Sequence, residues 1–151
     1  MRVGLISDTH GLLRPEALDA LAGVEAIIHG GDIGGPEVLE RLAALAPVYA
    51  VRGNNDREPW ARRLPANRML SLAGVRIEVI HDVKERSVAS GADRPQVVVS
   101  GHSHKPGVIE RDGVLFVNPG SAGPRRFKLP VTVGYLTLVD GSAEAELRNL
   151  L

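Results

Sequence analysis

The sequence predicts an α/β fold of two packed β-sheets flanked by helices, within a single domain spanning residues 1–151. Three observations carry the prediction. The first half alternates short apolar runs with helical patterns, the rhythm of βαβ units. The second half is rich in strand-like runs separated by tight-turn residues and reads as antiparallel. No low-complexity stretch or linker divides the halves, and 151 residues with 44% hydrophobic content supply the material for one core.

Val3-Gly4-Leu5-Ile6 reads as a buried strand that ends at the polar cluster Ser7-Asp8-Thr9-His10-Gly11. Pro15 suits a first helical turn, Leu18, Leu21 and Ala22 recur at helical spacing, and Gly23 ends the helix. The unit then repeats. Ala26-Ile27-Ile28 runs into His29-Gly30-Gly31-Asp32, and Pro36 opens a second helix carrying Val38, Leu39, Leu42 and Leu45 before Pro47. A third strand, Val48-Tyr49-Ala50-Val51, ends at Arg52-Gly53-Asn54-Asn55-Asp56. Beyond Pro65 the rhythm changes: residues 68–72 and 75–80 flank Ala73-Gly74 as a hairpin, ending at His81-Asp82. Val97-Val98-Val99 ends at Ser100-Gly101-His102-Ser103-His104, and strands are expected over 108–110, 114–117, 131–139 and 143–147.

Composition excludes several functions. Lys plus Arg and Asp plus Glu each number 18, so no global basic field draws in nucleic acid. Two Phe, two Tyr and one Trp are too few for a platform that stacks single-stranded bases. The lack of cysteine excludes disulfides, thiolate zinc sites, iron–sulfur clusters and a cysteine nucleophile, so any metal must be met by nitrogen and oxygen. No run approaches a membrane span, and the N-terminus turns polar at Ser7-Asp8, too soon for a signal peptide. A cytoplasmic setting is expected, with no membrane partner.

The strand ends carry the chemistry. Asp8, His10, Asp32, Asn54, His81, His102 and His104 all stand there, including four of the five histidines. Ligands of open α/β sheets bind beyond the carboxyl ends of the strands, so these side chains are expected to converge. Imidazole, carboxylate and amide oxygen suit divalent first-row metals. Such a donor set overfills one ion, whereas a bridging carboxylate lets it serve two; a hydroxide between two cations is a nucleophile for in-line attack on a phosphoester. Asp8 and His10, two apart in an extended segment, would share a face and one ion. His102 and His104, in a glycine-led turn, are expected to splay, one to each metal.

In order, Asp8-Thr9-His10, Gly31-Asp32, Gly53-Asn54-Asn55-Asp56, His81 and Gly101-His102-Ser103-His104 resemble the signature blocks of the calcineurin-like metallophosphoesterase superfamily. Within it the chain is most similar to small phosphodiesterases of the YfcE type, and Asn118-Pro119-Gly120-Ser121 resembles that branch's late motif. The resemblance implies a four-layer αββα sandwich of two mixed β-sheets flanked by helices. It implies that Asp8, His10, Asp32 and His104 hold one metal, with Asp32 bridging, and that Asn54, His81 and His102 complete the other. Asp32, Asn54 and His102 are thereby the residues nearest the reaction. The implied cofactors are two divalent ions, Mn²⁺ first, with Ni²⁺, iron or Zn²⁺ as alternatives. The implied substrate is a small-molecule or nucleotide-type phosphodiester, with weaker monoesterase activity, and relatives suggest a homo-oligomer. The rival is a non-catalytic interaction scaffold of the same fold, like the retromer adaptor subunit, whose active-site histidines are depleted; this chain retains them.

Two positions depart from the family pattern. Asn55 stands where much of the superfamily has a histidine proposed to protonate the leaving oxygen, and an amide is no acid. Asp82-Val83 replaces the Gly-His often found after the strand-end histidine. His29 matches no block and is read as packed or as supporting the site from behind. Gly30, Gly31, Gly53 and Gly101 serve either as turn residues or as points of close backbone approach. Arg125 and Arg126, in the one locally basic segment, are candidates for seating a phosphate.

Overall fold

The computed structural model describes residues 1–87 and 94–151. The chain order is β1 (Arg2–Ile6), α1 (Pro15–Ala20), β2 (Ala26–His29), α2 (Pro36–Ala43), β3 (Val48–Ala50), β4 (Asn67–Leu72), β5 (Val75–Ile80), β6 (Val97–Val99), β7 (Gly107–Arg111), β8 (Val114–Asn118), β9 (Thr132–Val139) and β10 (Ser142–Asn149). Among the described residues, short 3₁₀ turns also lie at Pro59–Arg63 and Val83–Glu85. The strands form two five-stranded sheets, ordered β10-β9-β1-β2-β3 and β4-β5-β6-β8-β7. Both sheets are mixed, the α/β sandwich that the sequence predicts.

Strand pairing in the second half differs from the antiparallel expectation. β4–β5 and β7–β8 are antiparallel, but β5–β6 and β6–β8 are parallel. The sign was in Val97-Val98-Val99: the run is apolar throughout and buried at every position, as a central strand covered on both faces must be. β9 crosses back to pair antiparallel with β1, and β10 closes that sheet's edge with the alternating pattern of a half-exposed strand.

Alternation along the strands divides the core. Val3, Leu5 and Ile28 of the first sheet meet Ile77, Val79, Val97 and Val99 of the second between the sheets. Ile6, Ile27, Val133 and Tyr135 point the other way, where Ala17, Leu21, Val38 and Leu42 of the helical segments cover them. The Tyr135 hydroxyl donates to the Ala20 carbonyl at 2.6 Å, satisfying an acceptor that the end of α1 would leave orphaned. The outer face of the second sheet holds Ile80, Val98, Val114 and Phe116. Among the described residues no α-helix lies there; the Arg86 guanidinium sits 5.6 Å from the Phe116 ring centre and pairs with Glu78 at 3.1 Å.

This topology positions the site. Parallel β1, β2 and β3 deliver the loops at 7–11, 30–34 and 51–56 to one edge of the sandwich, and parallel β5, β6 and β8 deliver His81, 100–104 and 119–121 to the same edge.

Candidate metal centre

The loops beyond β1 and β2 stay paired after the strands end. Asp8 N–H donates to Gly31 O (3.0 Å), His10 N–H to Asp32 O (2.9 Å) and Gly11 N–H to Ile33 O (2.8 Å). Within this pairing the backbone turns left-handed at Asp8 (φ 54°), His10 (46°) and Asp32 (55°), and likewise at His102 (70°) and His104 (62°). Non-glycine residues pay on the order of 1–3 kcal/mol each for such conformations, and sustain them where the surroundings over-determine them. Asp8 and His10 therefore converge through curled backbone, and not through the extended segment expected from their spacing.

All seven predicted residues gather at this edge. Asp8 Oδ2 accepts from Ser7 Oγ (2.7 Å) and from His102 N–H (3.1 Å). Its Oδ1 is buried without a hydrogen-bond partner among the described residues. That oxygen faces three imidazole Nε2 atoms, of His104 at 3.4 Å, His81 at 3.9 Å and His10 at 4.0 Å. Asp32 Oδ2 lies 3.3 Å from His81 Nε2 and 3.8 Å from His10 Nε2, between the two histidines. His102 Nδ1 lies 3.2 Å from Asn54 Oδ1 and 3.3 Å from His81 Nε2. Two donor groups emerge, Asp8-His10-His104 and Asp8-Asp32-His81, so Asp8 is common to both. His102 and His104 do splay, His102 toward Asn54 and His81, His104 toward Asp8.

The donor set fits cations. An orphaned buried carboxylate oxygen ringed by imidazole nitrogens beyond hydrogen-bond range is costly as it stands and suited to a metal ion. His81 Nδ1–H donates to Gly30 O at 2.8 Å, so the neutral ring presents Nε2 as the lone-pair nitrogen aimed at the carboxylates, whereas the protonated ring donates from it to Asp32. Burial pushes the Asp8 carboxyl above its ordinary range, against the opposing pull of Ser7, His81 and His104. Burial also acts to raise Asp32, but hydrogen bonds from His81 and Asn55 outweigh it and hold the carboxylate well below the usual range. At His81 burial is likewise outweighed, by Asp32, the Gly30 carbonyl and Asp8, and the imidazole is raised. Burial lowers His104.

Other residues build the support. Asp56 accepts from the N–H groups of Ile33 (3.0 Å), Gly34 (3.2 Å) and Gly53 (2.9 Å), tying the third loop to the second. Its carboxylate is buried in that role and faces backbone, so it is no reserve acid. Asn55 donates from its backbone N–H to Asp32 Oδ1 (2.9 Å) and from Nδ2 to Asp32 Oδ2 (3.0 Å). His29 is fully buried behind the loops: Gly31 N–H donates to its Nδ1 at 3.0 Å, and its Nε2 meets Thr9 Oγ1 at 3.0 Å. Since Thr9 donates to Ile33 O at 2.7 Å, the His29 Nε2 carries the proton. Burial pushes this imidazole down to about 3. Asn118 Nδ2 donates to Gly101 O (2.9 Å) and its Oδ1 accepts from Gly120 N–H (2.9 Å), so it both makes the turn and steadies the histidine loop. Ser7 stood in the sequence only as a member of a polar cluster and Asp56 only as the last residue of the third block; the signal for the anchoring role of Asp56 was a carboxylate closing a glycine-led turn.

A two-sheet α/β sandwich with imidazole, carboxylate and amide donors at its strand ends is the architecture of a metal-dependent hydrolase. Residues 1–141 match the family model described as the calcineurin-like phosphoesterase superfamily domain, and the chain belongs to this superfamily of metal-binding phosphoesterases. It is similar to a probable metallophosphoesterase of Methanothermobacter thermautotrophicus, 37% identical over 136 residues, covering 80% of this chain and 77% of that one. A phosphodiesterase of Methanocaldococcus jannaschii is 29% identical over 157 residues, covering 90% and 92%. Among solved structures, a novel archaeal phosphodiesterase superposes with a TM-score of 0.79 at 27% identity over 98% of this chain and 100% of that one. Vps29 of Chaetomium thermophilum gives 0.77 at 18% identity over 100% of both chains, a likeness of fold alone.

Proposed function

We propose that this chain is a metal-dependent phosphodiesterase working through a dinuclear centre in the cytoplasm. The observation that carries the reading is the unpartnered Asp8 Oδ1 facing the Nε2 atoms of His10, His81 and His104, with Asp32, Asn54 and His102 alongside. Asp8, His10, Asp32 and His104 would hold one cation, and Asn54, His81 and His102, with bridging Asp32, the other. Mn²⁺ is the first candidate, ahead of Ni²⁺, iron and Zn²⁺. When bound, such a pair neutralises phosphoryl oxygens and acidifies an attacking water.

The protein's own groups do the rest. Asn55 holds Asp32 oriented through its backbone N–H and its side-chain amide. Ser7 and the His102 N–H turn Asp8 so that Oδ1 faces inward. The Asn55 amide has no acidic proton to give a leaving oxygen, and His102 would be taken up by the second cation, so little general acid catalysis is expected.

The test is metal titration of the purified chain against bis(p-nitrophenyl) phosphate, with metal content measured in parallel. Two ions per chain and Mn²⁺-dependent turnover are expected, falling at least 100-fold in Asp32→Asn and His104→Ala while circular dichroism stays native. Bound metal with no turnover would replace this reading by the scaffold one. Faster hydrolysis of p-nitrophenyl phosphate would make the enzyme a monoesterase.

A further inference from the structure

We propose that the site binds its diester in one direction, with a second phosphate group of the substrate on the Arg125–Arg126 side and an uncharged organic part on the opposite side; this rests on the phosphodiesterase reading. Two cavities meet at Asn54 and His102. The first, about 500 Å³, runs from His10, Asp32 and His104 to Arg125 and Arg126. Both arginines are exposed, and among the described residues the arginine that has a carboxylate partner is Arg86. Two uncompensated guanidiniums beside a phosphoester site form a receptor for phosphate oxygens.

The basic loop is tied to the metal centre. Ser121 Oγ donates to Asp8 O at 3.0 Å, Ala122 N–H donates to Ser7 O at 3.0 Å, and Arg14 grips Gly123 O through Nε (3.3 Å) and Nη2 (3.2 Å). The loop then turns, with Leu129 N–H donating to Arg126 O at 3.1 Å and Phe127 in the left-handed region at φ 52°. A bulky residue at positive φ marks a backbone held against its preference.

The second cavity, about 610 Å³, has the opposite character. Its walls include Met69 and Ile80 with the carboxylates of Asp82 and Glu85; Glu78 is paired with Arg86, and Arg52 donates to Leu64 O at 2.8 Å. Asp82 and Glu85 outnumber the single guanidinium of Arg52, so this wall is net acidic and favours a nucleoside or other uncharged group over a second phosphate. The substrate class is therefore a phosphodiester joining a phosphorylated part to an unphosphorylated one. Hydrolysis forms one bond from water oxygen to phosphorus, breaks one ester P–O bond, and leaves the water's proton on the departing alcohol.

The experiment compares thymidine dinucleotide with and without a 5′-phosphate under Mn²⁺, reading the ratio of their kcat/KM values. The phosphorylated form is expected to win by about 10- to 100-fold, the effect of one charged hydrogen-bonded contact. The ratio is expected to fall toward one in Arg125→Ala/Arg126→Ala and below one in Arg125→Glu/Arg126→Glu. Turnover of bis(p-nitrophenyl) phosphate with a wild-type ratio near one, or a ratio that the substitutions leave unchanged, overturns the binding direction and leaves the phosphodiesterase standing. Metal-loaded protein that leaves all these diesters intact overturns both.

Discussion

Asn55 directs its backbone N–H and its side-chain amide at the two oxygens of Asp32, so its side chain is committed to holding a carboxylate proposed as a metal ligand. The position expected from the family resemblance to carry a histidine therefore supplies orientation here. Asp56 is buried against backbone donors and His102 is proposed as a metal ligand, so neither is free to protonate the leaving group. Lost or weakened general acid catalysis costs roughly 10²–10⁴ for poor leaving groups and little for good ones. A steep dependence of rate on leaving-group pKa is thus expected across a series from nitrophenyl to alkyl diesters. A flat series would mean that a group other than residue 55 protonates the leaving oxygen.

At the scale of the loops, the glycines divide by mechanism. Gly31 has φ 100°, a conformation that favours glycine. Gly53 and Gly101 do not need positive φ; a Cβ at Gly53 would collide with the Asp32 carboxylate, and one at Gly101 with Ser7 Oγ and Asp8 Oδ2. These are points where backbone packs directly against carboxylates proposed as metal ligands. Gly101→Ala is expected to cost about 1–3 kcal/mol of stability and to weaken metal binding, read by urea unfolding and by metal titration. Gly107→Ala, where an added Cβ meets nothing within 4 Å, is the control and is expected to stay within about 0.5 kcal/mol of wild type.

For the molecule as a whole, stability should follow pH through a histidine that touches no substrate. His29 ties the β1 and β2 loops together only as the neutral imidazole, because Nδ1 must accept from Gly31 N–H. Its folded pKa of about 3 lies below the ordinary histidine value. As pH falls the unfolded chain takes up this proton first, so the contribution is complete above about pH 6.5 and declines as pH drops toward 3. The slope approaches about 1.4 kcal/mol per pH unit in that window. Because the raised His81 works in the opposite sense, the measurement is the difference between wild type and His29→Asn in metal-free urea unfolding. The wild-type stability should fall more steeply with acidification by about one proton; parallel curves would show His29 already charged.

Much of the site was legible because its residues are chemically specific and stand where apolar runs stop. Asp8, His10, Asp32, Asn54, His81, His102 and His104 needed only a strand-end reading to be grouped. The α/β class and the strand positions followed from periodicity, which depends on neighbours in the chain. Pairing partners did not, since hydrogen bonds between strands leave no periodic trace: the parallel β5-β6-β8 arrangement and the return of β9 to β1 belong to the tertiary structure. Nor did sequence separate Asp56 as anchor from Asp8 as ligand. Both are aspartates in polar turns, and only their surroundings differ, backbone N–H groups for one and imidazole nitrogens for the other. Composition and order thus determined which atoms are available for chemistry; the three-dimensional packing decided which of them face one another, because opposing electrostatic environments are made by residues far apart in the chain.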